Sequence, residues 1–312
     1  GRIGQLTGCR VTDNRSPTGR PASPGGALTL IDTHHHVLNW NRFSYPWVPA
    51  TRADLHHNRG AAQYRLESGG MVSASLLVQA TTQRSETDWL LGLAALAPEF
   101  CGVIGWMDTT SSSFAEELSM LLDSPRGGGL VGLRHPVPQE ESGWLRRHDV
   151  RRGLTALAAR GLPFDLLVRE RDYSDAMSLV ASIPSLMFVL NHLGCPVVDG
   201  RPKDQWIRFI HGVSRYENVR AKVSGLSAAP LGPIASNVDA AREHVATAFD
   251  AFGAERLVLG SDWPVSVPDG GDAATVLGAV IATLDRLQLS APEQRAIFAE
   301  NAIDIYRLQE NS

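Results

Sequence analysis

Short apolar runs alternate with amphipathic stretches from residue 28 almost to the end of the chain. The runs fall at residues 27–31, 75–78, 103–106, 130–133, 164–168, 187–190, 221–224 and 257–259. Each is nearly continuous in hydrophobicity and rich in Val, Leu or Ile, the pattern of a strand buried on both faces. The stretches between them predict helices. Ser85-Glu86-Thr87-Asp88 and Ser113-Phe114-Ala115-Glu116 have the form of capping boxes. Val150, Leu154 and Leu157 share one helical face that stops at Gly161, with Pro163 just beyond. Val238, Arg242, Val245, Phe249 and Phe252 recur at helical spacing before Gly253. Val276, Leu277, Val280, Ile281, Leu284 and Leu287 line a last amphipathic helix.

Strand–helix alternation repeated eight times predicts a (β/α)8 TIM barrel, an α/β fold in a single domain. The competing architecture, a doubly wound sheet, carries a Gly-rich phosphate loop after its first strand. Here the first run leads instead into Asp32-Thr33-His34-His35-His36. Gly69-Gly70 and Gly127-Gly128-Gly129 precede runs rather than follow them, and read as turns.

Composition narrows the class. The 312 residues are 43% hydrophobic and 20% charged, an ordinary globular balance. A net charge of −4 lacks the basic face of a nucleic-acid binder, and no apolar run is long enough for a membrane helix. The expected partner is therefore a small-molecule substrate, with a homo-oligomer left open. Residues 1–27 are rich in Gly, Pro, Ser, Thr and Arg and carry no period that would bury a face, so they read as a flexible extension preceding a barrel over 28–312. Cys9, Cys101 and Cys195 match neither a zinc pattern nor a disulfide framework, which points to a cytoplasmic protein.

In a barrel of this kind chemistry gathers where strands end on the C-terminal face. The first run ends in His34, His35 and His36, the second in Gln79, the third in Asp108 and the fourth in Arg134 and His135. Arg169 and Glu170 close the fifth, Asn191 and His192 the sixth; Lys222 and Ser224 lie on the seventh, and Ser261, Asp262 and Trp263 close the eighth. Residues two apart on a strand point to the same side. His34 and His36 thus converge inside the mouth, and His35 faces the helices. Two converging imidazoles suit a divalent metal or a polarised oxygen. Strand eight closes on strand one, which sets Asp262 beside them as a base for water, and His192 approaches from strand six. The competing reading of Asp262 is a turn cap. Arg134, His135 and Lys222 are expected to bind a carboxylate or hydroxyls of the substrate, against a structural ion pair for Arg134 or Lys222. Gln79 and Trp263 read as pocket walls, and Tyr45 and Trp47 as contributions from the loop after strand one. Cys195 reads as a bystander thiol, because no base adjoins it.

Six motifs now stand in order: Leu30-Ile31-Asp32-Thr33-His34-His35-His36-Val37, Tyr45-Pro46-Trp47, Gly132-Leu133-Arg134-His135-Pro136, Asn191-His192-Leu193-Gly194-Cys195-Pro196, Lys222-Val223-Ser224-Gly225-Leu226 and Gly260-Ser261-Asp262-Trp263-Pro264-Val265. Over residues 28–308 the chain resembles the amidohydrolase superfamily, in the amidohydrolase-related branch of sugar-acid and pyrone-dicarboxylate lactonases. The resemblance implies hydrolysis of a lactone or related ester, with His34, His36, His192 and Asp262 at the motif positions. It implies either no required metal or one divalent ion, zinc or manganese, weakly held by those four residues. A two-metal site does not fit, because the fifth run has no histidine and the fourth offers Arg134 where a bridging lysine or glutamate would stand. Asn191 departs from the Asp usual before the strand-six histidine. A metal-dependent non-oxidative decarboxylase on the same fold is the alternative, and a binding protein with a relic site is the non-enzymatic one.

Overall fold

The computed structural model describes residues 30–227 and 238–308. Eight parallel strands lie side by side in chain order: β1 (Ile31–His35), β2 (Ala74–Val78), β3 (Phe100–Gly105), β4 (Leu130–Pro136), β5 (Phe164–Leu167), β6 (Phe188–Leu190), β7 (Val219–Val223) and β8 (Leu257–Leu259). Each is followed by a helix: α1 (Ala61–Glu67), α2 (Arg84–Ala94), α3 (Phe114–Leu122), α4 (His148–Ala159), α5 (Tyr173–Ser182), α6 (Asp204–Val213), α7 (Val238–Phe252) and α8 (Ala273–Asp285). Two more, α9 (Ala291–Arg295) and α10 (Asn301–Tyr306), close the described chain. This is a (β/α)8 barrel. The extension over 1–27 and nearly all of the loop 227–237 lie outside the described residues.

Alternation along the strands divides the core in two. Leu77, Phe188, Leu190, Leu257 and Leu259 face the helices and pack with Leu154, Leu157, Phe209 and Val276. Ile31, Leu76, Val78, Ile104, Val189 and Val258 form an inner cluster with Ala302, Ile305 and Tyr306 of α10. The last helix thus plugs the bottom of the barrel and leaves the top for a site. Val150, Leu154 and Leu157 are the buried face of α4, and Gly161 beyond it takes φ 67°, a left-handed turn that suits glycine.

Three local expectations are corrected. The first apolar run ends where β1 begins, and Asp32, Thr33, His34 and His35 are themselves buried strand residues. Ser85 and Ser113 make no side-chain caps. Glu86 turns inward and accepts from the N–H groups of Ala80 and Thr81 at 2.8 Å each, and the Ser113 hydroxyl donates to Glu117. Cys101 is disulfide-bonded while Cys195 is free, which removes the argument from cysteine usage for a reducing compartment. Among the described residues, no helix is long and apolar enough to cross a membrane.

Candidate active site

The site is built on the seam where β8 returns to β1. No ladder pairs these strands; a single bridge joins His35 to Trp263. Asp262 sits just past β8 with φ 57°. Its N–H donates to the carbonyl of His34 at 2.7 Å, and the N–H of His36 donates to Trp263 O at 2.7 Å. These bonds hold the turn against the end of β1 and aim the Asp262 carboxylate at the paired histidines.

His34 Nε2 lies 3.3 Å from His36 Nε2 and 3.6 Å from Asp262 Oδ1. His36 Nε2 and His192 Nε2 lie 3.6 and 3.8 Å from the same oxygen. Three imidazole nitrogens therefore ring one carboxylate oxygen. A tetrahedral ion with bonds of about 2.0–2.1 Å would set its ligands about 3.3–3.4 Å apart. His34, His36 and Asp262 form a buried cluster with metal-ligand spacing. His36 Nδ1 donates to Val78 O at 2.9 Å, which leaves Nε2 with its lone pair. His192 Nδ1 shares a hydrogen bond of 2.9 Å with the Ser224 hydroxyl.

Electrostatics keep the imidazoles neutral. Burial, then the nearby Lys222, His192, His36 and Arg134, hold His34 far below the usual histidine value. Burial also lowers His36, and takes His192 down to about 4 against the pull of Asp262. For Asp262, burial alone would raise the carboxyl, but His192, His36 and the Ser266 hydroxyl bring it below the usual value. At neutral pH the group is ionised and can accept a proton.

His192 stands on an unusual support. His192, Leu193, Gly194 and Cys195 take φ of 52°, 51°, 77° and 56°, four left-handed residues in a row. Each such L-residue costs about 1–2 kcal/mol. The turn is tied from two helices: Trp206 Nε1 donates to Leu193 O, and the Tyr173 hydroxyl to Gly194 O, both at 2.7 Å. A side chain at Gly225 would begin 2.5 Å from His192 Nδ1, so only glycine lets β7's exit pass this close.

Above the cluster opens a cavity of about 430 Å³. His36, His192, Asp262 and Arg134 are among its lining, with Trp47, Tyr173 and Trp206 in its walls and Arg169, Glu170 and Lys203 toward the rim. Arg134 is buried, with Nη2 donating to Gln79 O at 2.6 Å and Nη1 lying 3.3 Å from His34 Nε2.

Other expected site residues are engaged elsewhere. His135 is next to Arg134 on β4 and so faces the opposite way; it bonds Trp106 and Glu140 and stacks on Trp144. Tyr45 is buried in a satellite core with Leu38, Phe43 and Leu55, and its hydroxyl accepts from Asn39 N–H. Trp263 is fully buried, its indole donating to Glu67. Gln79 lies beneath Arg134, its amide donating to Arg134 O at 3.3 Å. Lys222 is enclosed in the barrel, 2.6 Å from Asp165 Oδ2, and donates to Thr33 O at 2.7 Å. This is the geometry of the structural ion pair that the sequence allowed for Lys222 beside a substrate contact. Asn191 donates to Asp165 at 2.9 Å and holds that carboxylate instead of the histidine beside it. Sequence reasoning did not single out Tyr173 and Trp206. They stand near the starts of α5 and α6, and their periodicity marks only a buried helical face.

The amidohydrolase family matches residues 31–308. A Burkholderia multivorans protein named L-fucono-1,5-lactonase is 30% identical over 299 residues, spanning 91% of this chain and 98% of that protein. A Burkholderia ambifaria protein of the same name is 27% identical over 287 residues, spanning 90% and 97%. A crystal structure of a Burkholderia multivorans amidohydrolase with bound zinc superimposes with a TM-score of 0.81 at 29% identity, covering 90% of this chain and 100% of that one.

Proposed function

Since the chain belongs to the amidohydrolase family, we propose that it hydrolyses a lactone of the sugar-acid type, with Asp262 as the general base. The observation that carries this reading is the convergence of Asp262 Oδ1 with three imidazole Nε2 atoms on the floor of a cavity of about 430 Å³. Its similarity to proteins named L-fucono-1,5-lactonase supports the substrate class. Aromatic walls from Trp47, Tyr173 and Trp206 suit the faces of a sugar ring, and Arg169, Glu170 and Lys203 suit its hydroxyls.

The donor set fits one divalent ion, zinc or manganese. His34, His36 and Asp262 would hold it, with His192 beside them; bound there, it would supply Lewis-acid polarisation of the lactone carbonyl. The chain's own groups do the rest. Asp262 orients a water and takes its proton as the oxygen attacks the carbonyl carbon. Arg134, fixed by Gln79 O, offers N–H donors to the oxygen on which negative charge develops. The ring C–O bond then breaks, and Asp262 returns the proton to the departing alkoxide. The product is the open hydroxy acid.

A panel of five- and six-membered sugar lactones, read by acid release, tests the proposal. At least one should be turned over, and Asp262→Asn should lower kcat by about a hundredfold or more with the fold intact. Carbon dioxide release from aromatic carboxylates, with no lactone consumed, would replace hydrolysis by the decarboxylase alternative.

A further inference from the structure

Behind the donor set lies a second carboxylate that touches neither the cavity nor any imidazole ring. Asp32, in the middle of β1, is fully buried. Its Oδ1 accepts from His34 N–H at 3.0 Å and from Ser261 N–H at 2.9 Å. Its Oδ2 accepts from the Ser261 hydroxyl at 2.6 Å and the Tyr64 hydroxyl at 2.7 Å. One side chain thus grips the backbone of the first histidine on β1 and the residue just before Asp262 after β8. Ser261 passes the grip on, because its hydroxyl accepts from Trp263 N–H at 3.0 Å.

This seam needs such a grip. Every other neighbouring pair of strands has a ladder, whereas β1 and β8 are joined at one bridge and through side chains, Thr33 Oγ1 donating to Leu259 O at 2.7 Å among them. Close approach is also built in: a side chain at Gly260 would begin 2.7 Å from His34 Cβ. Asp262 holds a left-handed backbone, φ 57°, that an aspartate keeps only when its surroundings fix it. Two of the metal-spaced donors, His34 and His36, come from one side of the seam and the third, Asp262, from the other.

We infer that Asp32 is the positioning residue of this site: through Ser261 it locks β8's exit to β1 and sets the distance between Asp262 and the histidine pair. Oxygen ligands and imidazoles that must meet within a few tenths of an ångström gain affinity from partners that fix them, and loss of such a partner typically lowers metal affinity about 10–100-fold. Tyr64 binds the same carboxylate from α1 through its hydroxyl, while its ring stacks on His35 and packs against Trp263. Tyr64→Phe keeps both ring contacts and removes only a hydroxyl that grips neither backbone, so it serves as the internal control.

The inference rests on the donor set read above and not on the identity of the lactone, so the test uses two readouts. Zinc affinity is measured by competition with a chromophoric chelator, and kcat and KM by hydrolysis of whichever lactone is turned over. Ser261→Ala, which removes one hydroxyl, should weaken zinc about tenfold or more and lower kcat by a similar factor, with KM within about threefold. Asp32→Ala should lose more, and Asp32→Asn, which keeps Oδ1 for both N–H donors, should recover most of that loss. Tyr64→Phe should change the melting temperature but leave zinc affinity and kcat within about threefold. A folded Ser261→Ala with wild-type zinc affinity and kcat overturns the inference, as does Tyr64→Phe losing both to the same extent. Should no lactone be consumed while zinc affinity follows the expected order, the hydrolytic reading fails and the role of Asp32 stands. A wild type that binds no zinc and hydrolyses nothing overturns both.

Discussion

Replacing Lys222 with Met separates the two roles open to that residue. Its ammonium lies 2.6 Å from Asp165 Oδ2, and neither side chain is exposed. At that separation an effective dielectric of about 20 gives an attraction of roughly 6 kcal/mol, most of it offset by the desolvation of both charges. Removing one partner leaves the other buried and unpaired, at a typical cost of about 3–5 kcal/mol. Asp165 keeps the Tyr306 hydroxyl at 2.8 Å and Asn191 Nδ2 at 2.9 Å, which places the expected loss near the lower end. Lys222→Met should therefore unfold about 3 kcal/mol more easily in urea, with an unchanged m-value. The double variant Lys222→Met/Asp165→Asn removes both charges and should recover most of the loss. Because the ammonium never reaches the cavity, KM of the folded single variant should stay near wild type. A stability change below about 1 kcal/mol, or a tenfold rise in KM at unchanged stability, would refute the ion-pair argument and restore Lys222 as a substrate contact.

Zinc titrated into the protein should saturate at about one ion per chain, and His36→Ala should abolish uptake; equal uptake by that variant would place the ion elsewhere. Glu86 links stability to pH. Burial raises its carboxyl from 4.5 to about 7 against the N–H groups of Thr81 and Ala80. The folded state thus favours the protonated form, and stability should fall as pH rises from about 4.5 through about 7, by roughly 3 kcal/mol in total. Glu86→Gln, which can still accept from both N–H groups, should flatten that fall in denaturation curves; the same slope in both proteins would sink the assignment.

The barrel was legible because most of its strands are apolar on both faces, and a continuous run of Val and Leu admits few other readings. β1 was displaced toward the N-terminus for a physical reason: Asp32, Thr33, His34 and His35 are buried polar residues whose partners lie in Ser261, Leu259, Tyr64 and Ser75. Nothing within a short window announces such partners. The convergence of His34, His36 and Asp262 was readable, since a two-residue period and barrel closure together fix which side chains meet. The same period, applied to Arg134 and His135, allows only one of them to face inward. Asp165, an acid in the middle of an apolar run, was the overlooked sign that Lys222 had a buried partner. The left-handed turn from His192 to Cys195 was illegible, because Leu and Cys carry no preference for positive φ and the modest one of His does not mark a run of four. Tyr173 and Trp206 both line the cavity and hold that turn, a long-range arrangement that a short window does not announce.

The plug at the bottom of the barrel has a bearing on the mouth. The Tyr306 hydroxyl donates to Asp165 at 2.8 Å, Asp165 pairs with Lys222 at 2.6 Å, and Lys222 Nζ lies 3.5 Å from His34 Nδ1. A single polar column therefore runs through the barrel interior from α10 to the far nitrogen of a candidate ligand's imidazole. Coupling between two sites is reciprocal. If seating α10 orders His34 for an ion or substrate, then an occupant at His34 strengthens the docking of α10 by the same free energy. The helix α10 becomes a reporter of the site, and its resistance to proteolysis becomes a gauge of whether the mouth is filled.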